Sequence, residues 1–262
     1  MKSVLLVPIL LLLGVIPGVS LGQSPIAKEI ASGGKLRVAV AVSSGALVTR
    51  TPDDKISGGL ATDLGKLIAE KLGVPFELVS YPNADAFTKS FAKDEWDIGL
   101  GSPSPLVAGK ADFIADLLLA DYVYVVGPGR EFSDLGQVDK PGVKIGAGPN
   151  STSDQFLSKN LKSGQLIPIT SGDGGAEVLR TGKVDIWATS ASNSKQLVDR
   201  VPGAKIIPGA FTSERQGVFL PKGKSPAAQK RVAEIVTEAK KAGMVRKSVE
   251  QLGQSGVRAA PD

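Results

Sequence analysis

The spacing of apolar residues changes period along this chain, and each change marks an element. Residues 35–43, KLRVAVAVS, form a Val/Ala-rich run that predicts a buried strand. A turn-rich stretch, TRTPDDKISGG, follows. ATDLGKLIAEKLG then sets Leu64, Leu67, Ile68 and Leu72 at helical spacing and stops at Gly73. VPFELVSY predicts a strand, ADAFTKSFAKDE a short amphipathic helix with Phe87 and Phe91 four residues apart, and WDIGLG a third strand. This βαβαβ succession predicts an α/β sandwich with a parallel-type sheet.

The pattern then restarts. DYVYVVGPG and PGVKIGAG predict strands, STSDQFLSKNLKSG a helix capped by Ser or Thr, and QLIPIT a strand. GGAEVLRTGK, VDIWATS, SNSKQLVDR and AKIIPGA alternate helix and strand. RQGVFLPKG leads into a long helix, SPAAQKRVAEIVTEAKKAG, with Val232, Ile235, Val236 and Ala239 on one face, and MVRKSVEQLG adds a short one. Two similar units without a linker imply that one is inserted into the other, with crossings near 122–127 and 208–212. The expected fold class is therefore α/β with two lobes: lobe 1 from 34–124 plus 210–262, lobe 2 from 125–209. In such architectures ligands lie at the carboxyl ends of strands and between domains.

The first residues bear on location. In MKSVLLVPILLLLGVIPGVSLGQ one Lys precedes an apolar run from Val4 to Pro17, and small residues follow. This predicts a secretory signal peptide over 1–22, cleaved near Gly22. The run is short for a membrane span of roughly 20 residues and is broken by Pro8 and Pro17. Removing Lys2 from the 31 Lys and Arg leaves 30 against 26 Asp and Glu. These positive residues are scattered, so no nucleic-acid surface is expected. The chain has no His and no Cys. That excludes disulfides, thiol nucleophiles, Ser-His-Asp triads and imidazole or thiolate metal sites. No loop is dense enough in Asp and Glu to suggest an oxygen-ligated metal, so neither metal nor cofactor is expected.

Five segments, in order, carry a resemblance: GKLRVAV, SGGLATDLGKLIAEKLGV, FAKDEWDIGLGSPSPLVAGKADF, RTGKVDIWATS, and the run from RQGVFLPKG to VEQLG. Together, over about residues 34–255, the chain resembles the extracellular solute-binding proteins of family 3. The resemblance implies the type II periplasmic-binding fold, with lobe 2 inserted into lobe 1 and two crossing segments as the hinge. It further implies a monomeric periplasmic protein that is not an enzyme. Its partners would be a small-molecule ligand and an inner-membrane ABC permease.

The same resemblance locates departures. In the family's amino-acid receptors an Arg clamps the ligand carboxylate a few residues before an Asp-Phe pair. Counting back from Asp112 and Phe113, that position is Val107, the preceding Glu is Leu106, and the hydroxyl positions are Ser102 and Ser104. The Asp that takes the α-ammonium corresponds to Ser190. The Asp and aromatic that follow the first strand are missing; Ala41, Ser44 and Leu47 stand there. A buried carboxylate left without its partner costs about 3–5 kcal/mol, so a standard α-amino acid is expected to bind poorly. The expected cleft residues are Ser44, Tyr81, Gly101, Ser102 and Ser104 from lobe 1. From lobe 2 come Asn150, Ser151 and Thr152 at a helix start, where free N–H groups favour anions, and Ser190. Arg50, Lys110 and Arg215 are candidate replacement cations. The expected ligand is small, polar, and neutral or singly anionic. Two alternatives share the fold: an accessory or sensory periplasmic protein, and a dehydratase-like enzyme, which the missing Arg and His disfavour.

Overall fold

The computed structural model describes residues 24–51, 53, 55–149, 151–170 and 174–261. The expected leader over 1–22, and Asn150, lie outside the described residues. The elements in chain order are α1 (Pro25–Ile30), β1 (Leu36–Ala41), β2 (Thr49–Arg50), β3 (Ile56–Gly58), α2 (Leu60–Leu72), β4 (Phe76–Tyr81), α3 (Ala84–Ser90), β5 (Ile98–Gly101), α4 (Pro105–Ala108) and β6 (Ala111–Val126). There follow β7 (Lys144–Ala147), α5 (Thr152–Asn160), β8 (Gln165–Pro168), α6 (Gly174–Arg180), β9 (Ile186–Ser190), α7 (Ala191–Arg200) and β10 (Lys205–Ile206). β11 (Thr212–Pro221), α8 (Pro226–Lys241), α9 (Met244–Leu252) and β12 (Val257–Ala259) complete the chain.

The fold is α/β, as the alternating pattern predicted, but the sheet is mixed. Its order is β4-β1-β5-β11-β6-β9-β7-β8, with β10 and β12 also paired to β6. β4, β1 and β5 run parallel, as do β8, β7 and β9. β6 and β11 join these two groups through antiparallel pairings. Of the segments where crossings are expected, 122–126 lies within β6 and 208–211 precedes β11; these two long strands are hydrogen-bonded to one another from Thr212↔Tyr122 to Pro221↔Ala111.

Period-two alternation places the core on both faces of the first parallel group. Leu36, Val38 and Val40 of β1, Ile98 and Leu100 of β5, and Val218 and Leu220 of β11 pack with α2 and α8. Ala39, Ala41 and Phe219 face a cluster of Phe87, Phe91 and Trp96 instead. Gly99 and Gly101 belong to this packing: a Cβ on Gly101 would stand 3.0 Å from the Phe87 ring, and one on Gly99 would stand 3.1 Å away. Two further buried clusters draw only on residues 124–207.

The helix ends follow local chemistry. Ser225 precedes Pro226 and accepts the Ala228 N–H at 3.2 Å, which starts α8. Gly73 ends α2 in the left-handed conformation, φ +67°. Among the described residues no helix is long and apolar enough to cross a membrane.

Candidate functional site

Strands from both parallel groups end at one cavity. β1 leads into Ser43–Ala46, β5 into Ser102, and β9 ends at Ser190, and all of these residues line it. Its volume is about 460 Å³, within the range of small-molecule pockets. The carboxyl ends of parallel strands are where α/β sheets hold ligands, because side chains there are not committed to the sheet. Ser192 and Asn193 at the start of α7 add polar groups on the same side.

The floor is one face of the β6–β11 pair. Ala120 and Tyr122 are two apart on β6, and Glu214 and Gln216 two apart on β11, so alternation turns all four the same way. The Tyr122 hydroxyl donates to Glu214 Oε2 at 2.9 Å. Burial, and then the Glu214 charge, push the Tyr122 phenol up to about 12. The Thr152 hydroxyl acts on Tyr122 in the opposite sense; Thr152 is not among the residues that line the cavity. Gln216 Oε1 is buried without a hydrogen-bond partner. Ser190 Oγ and Ser192 Oγ share a hydrogen bond of 3.1 Å.

The C-terminal segment closes one side. Gln254 and Val257 line the cavity, and Gln254 Nε2 donates to the Gly45 carbonyl at 3.2 Å. β12 is held against β6, and the Asp121 N–H donates to the Gly256 carbonyl at 2.7 Å.

Of the residues expected in the cleft, Ser44, Ser102 and Ser190 line this cavity. Four others have structural partners elsewhere. The Tyr81 ring packs on Phe87, with centroids 5.8 Å apart, and its hydroxyl donates to Glu95 Oε2 at 2.8 Å. Gly101 is buried under Phe87. Ser104 precedes α4, and its carbonyl accepts the Val107 N–H. Ser151 caps α5 by accepting the Asp154 N–H at 3.2 Å. Val107, at the clamp position, is 3 % exposed in the aromatic cluster.

Of the replacement cations, Arg50 lines the cavity. Arg215 is bound by two contacts of 2.7 Å to Asp116 and lies over the Phe113 ring at 5.0 Å; Lys110 is exposed. Tyr122, Glu214, Gln216, Asn193 and Gln254 are cavity residues that sequence reasoning did not single out. For Glu214 and Gln216 the local sequence carries little signal: TSERQ is a continuous polar run before the apolar VFL, and it does not show which of its residues face a cavity. Among the described residues no group of three or more His, Cys, Asp or Glu is arranged to hold a metal ion.

No protein-family model matches the sequence, and no curated protein does. Solved structures do match. An ancestral amino-acid-binding protein, AncCDT-1, described as a precursor of cyclohexadienyl dehydratase, is 21% identical with a TM-score of 0.62, covering 86% of this chain and 98% of that one. An amino-acid ABC transporter substrate-binding protein, AbpA from Streptococcus pneumoniae, solved bound to L-arginine, is 21% identical with a TM-score of 0.61, covering 86% and 97%. A mutant of ArgBP from T. maritima is 21% identical with a TM-score of 0.60, covering 87% and 99%. At this identity the likeness is one of fold, and it agrees with the fold expected from the resemblance to family 3. This chain has the type II periplasmic-binding-protein fold of the amino-acid and ABC-transporter substrate-binding proteins.

Proposed function

We propose that this protein is a periplasmic solute-binding receptor that delivers a small polar molecule to an inner-membrane ABC permease. The observation that carries the reading is the polar cavity of about 460 Å³ at the carboxyl ends of β1, β5 and β9, floored by the two long strands β6 and β11. On this reading, residues 34–124 with 210–262 form one lobe and 125–209 the other. A ligand touching Ser44 and Ser102 on one side and Ser190 on the other stabilises the closed arrangement, because only that arrangement satisfies both sets of contacts. Secretion by the leader over 1–22, a monomeric state and the absence of catalysis complete the reading.

The ligand is not a standard α-amino acid. Val107, at the clamp position, is buried among aromatic rings and has no charge to offer a carboxylate. At the cavity floor Glu214 favours a neutral or basic group over an anionic one, while Arg50 also lines the cavity. The buried Val107 is also the observation that favours the second reading, an accessory or sensory protein that kept the fold and dispensed with the amino-acid clamp. A dehydratase-like activity lacks both that Arg and any His to act as base.

The test is thermal melting across a broad panel of metabolites, with Ser190→Trp as the control that fills the cavity. A ligand present at about 100 times its Kd adds about 2.7 kcal/mol of stability. The receptor reading predicts a class of compounds that raises the Tm of the native protein and leaves Ser190→Trp unchanged. No stabilising compound, together with a stable complex with another periplasmic protein, supports the accessory reading.

A further inference from the structure

We infer that Glu214 sets the specificity of the cavity: the ligand presents a protonated nitrogen bearing N–H donors, an amine or an amidine, to this carboxylate. The inference rests on the receptor reading and names the class of solute it takes. Glu214 is half-buried on the cavity floor, and its contact is the Tyr122 hydroxyl at 2.9 Å. Arg215 and Arg258 are committed to other carboxylates, Asp116 and Asp121 (the latter at 3.1 Å), and Arg50, which also lines the cavity, forms no ion pair with Glu214. Among the described residues no Lys or Arg forms an ion pair with Glu214. A carboxylate partly removed from water without a counter-charge is a cost to the fold that a bound cation relieves.

The surroundings narrow the cation. Gln216, on the same face of β11, adds a carbonyl oxygen that is buried without a donor. The serine hydroxyls of the wall can also accept. Acceptors arranged in this way suit a cation that carries several N–H groups. A quaternary ammonium has none and is held by aromatic faces. Tyr122 is the aromatic ring in this wall among the described residues, and its hydroxyl is already engaged with Glu214. A carboxylate on the ligand is not required, because Val107 leaves the clamp position without charge.

The test compares matched probes on the purified protein: putrescine and agmatine as the basic set, 1,4-butanediol as the uncharged counterpart, succinate as the dianion. Binding is followed by calorimetry for the native protein, Glu214→Gln and Tyr122→Phe. Glu214→Gln keeps the shape and can still accept from Tyr122, and its unliganded melting temperature is measured alongside to verify folding. We expect a basic probe to bind, the diol and the diacid to fail, and Glu214→Gln to weaken the basic probe by about 100-fold. Tyr122→Phe, which leaves the carboxylate in place, is expected to retain binding within about tenfold, one hydrogen bond's worth. Preference for the diol or the diacid, or a basic probe bound equally by native protein and Glu214→Gln, overturns the inference and leaves the receptor reading standing. Failure of every probe, together with failure of the broad metabolite panel, overturns both; failure of every probe beside a panel compound without a basic nitrogen overturns the inference alone.

Discussion

Val107 stands at the position of a charge clamp and carries no charge, while Glu214 lines the cavity floor. Counting along GSPSPLVAGKADF locates Val107 at the charge clamp, and the chain there folds into the aromatic cluster instead. The carboxylate in the cavity comes from Glu214, about a hundred residues later, brought beside Ala120 by strand pairing that no local pattern reveals. The Ser44, Ser102 and Ser190 positions were legible because each follows a recognisable strand. Tyr81 and Gly101 were also at strand ends, but alternation turns them to the Phe87 side. Two residue-level outcomes follow. Asp97 is 2 % exposed and accepts from the Arg37 backbone N–H at 2.8 Å and from its guanidinium at 2.9 Å. Asp97→Ala is expected to cost about 1–3 kcal/mol in urea unfolding, since it leaves the Arg37 backbone N–H without its acceptor while Asp94 still pairs the guanidinium at 3.0 Å. The phenols give a pH signature. Burial and the Glu214 charge raise Tyr122 to about 12, burial raises Tyr124 to about 12, and burial raises Tyr81 as well. A phenol whose folded pKa exceeds its unfolded value binds its proton more tightly in the native state. Its stabilising contribution is whole below pH 10 and is lost as pH rises from there through about 12. A phenolate absorbance titration should show little ionisation at pH 10 in the native protein; half-ionisation there would contradict these environments.

At the scale of elements, the strands that were hardest to read are the ones that organise the molecule. ADFIADLLLA carries Asp112 and Asp116 within an apolar run, and Asp121 follows directly, so its pattern does not read as a buried strand. In the fold it is the first part of the 16-residue β6, and each Asp has a partner on or next to a strand paired with β6: Lys222 for Asp112, Arg215 for Asp116, Arg258 for Asp121. Likewise β12 has three residues and no periodicity of its own, and it exists through its pairing with β6. The helices α2 and α8 were legible because 3.6-residue spacing is local. The joint between β6 and β11 is sensitive at Gly217, where the register shifts. A Cβ there would stand 2.0 Å from the Ala115 carbonyl oxygen. Gly217→Ala is expected to destabilise the protein by about 3 kcal/mol, the upper end for overpacking. A urea midpoint equal to the native one would show that these strands are not so tightly joined.

For the whole molecule, the C-terminal segment matters as much as the sheet. It runs along β6, contributes Gln254 and Val257 to the cavity, and brings Gly256 against α7. A Cβ on Gly256 would meet the Ala191 Cβ at 2.3 Å, and its φ of +71° suits glycine. Gly256→Val is therefore expected to cost about 1–3 kcal/mol and to weaken ligand binding, because the wall moves with it. Calorimetry on this variant beside its urea midpoint separates the two effects; unchanged binding would remove the segment from the site. On the proposed reading one small molecule occupies the cavity floored by Glu214. The most direct test of that reading is native mass spectrometry of the freshly purified protein, followed by denaturing release and identification of what was bound. One small molecule per chain, bearing a basic nitrogen, is expected, and none on Ser190→Trp. A bound molecule that persists on Ser190→Trp, or one that is an ordinary α-amino acid, would contradict the reading.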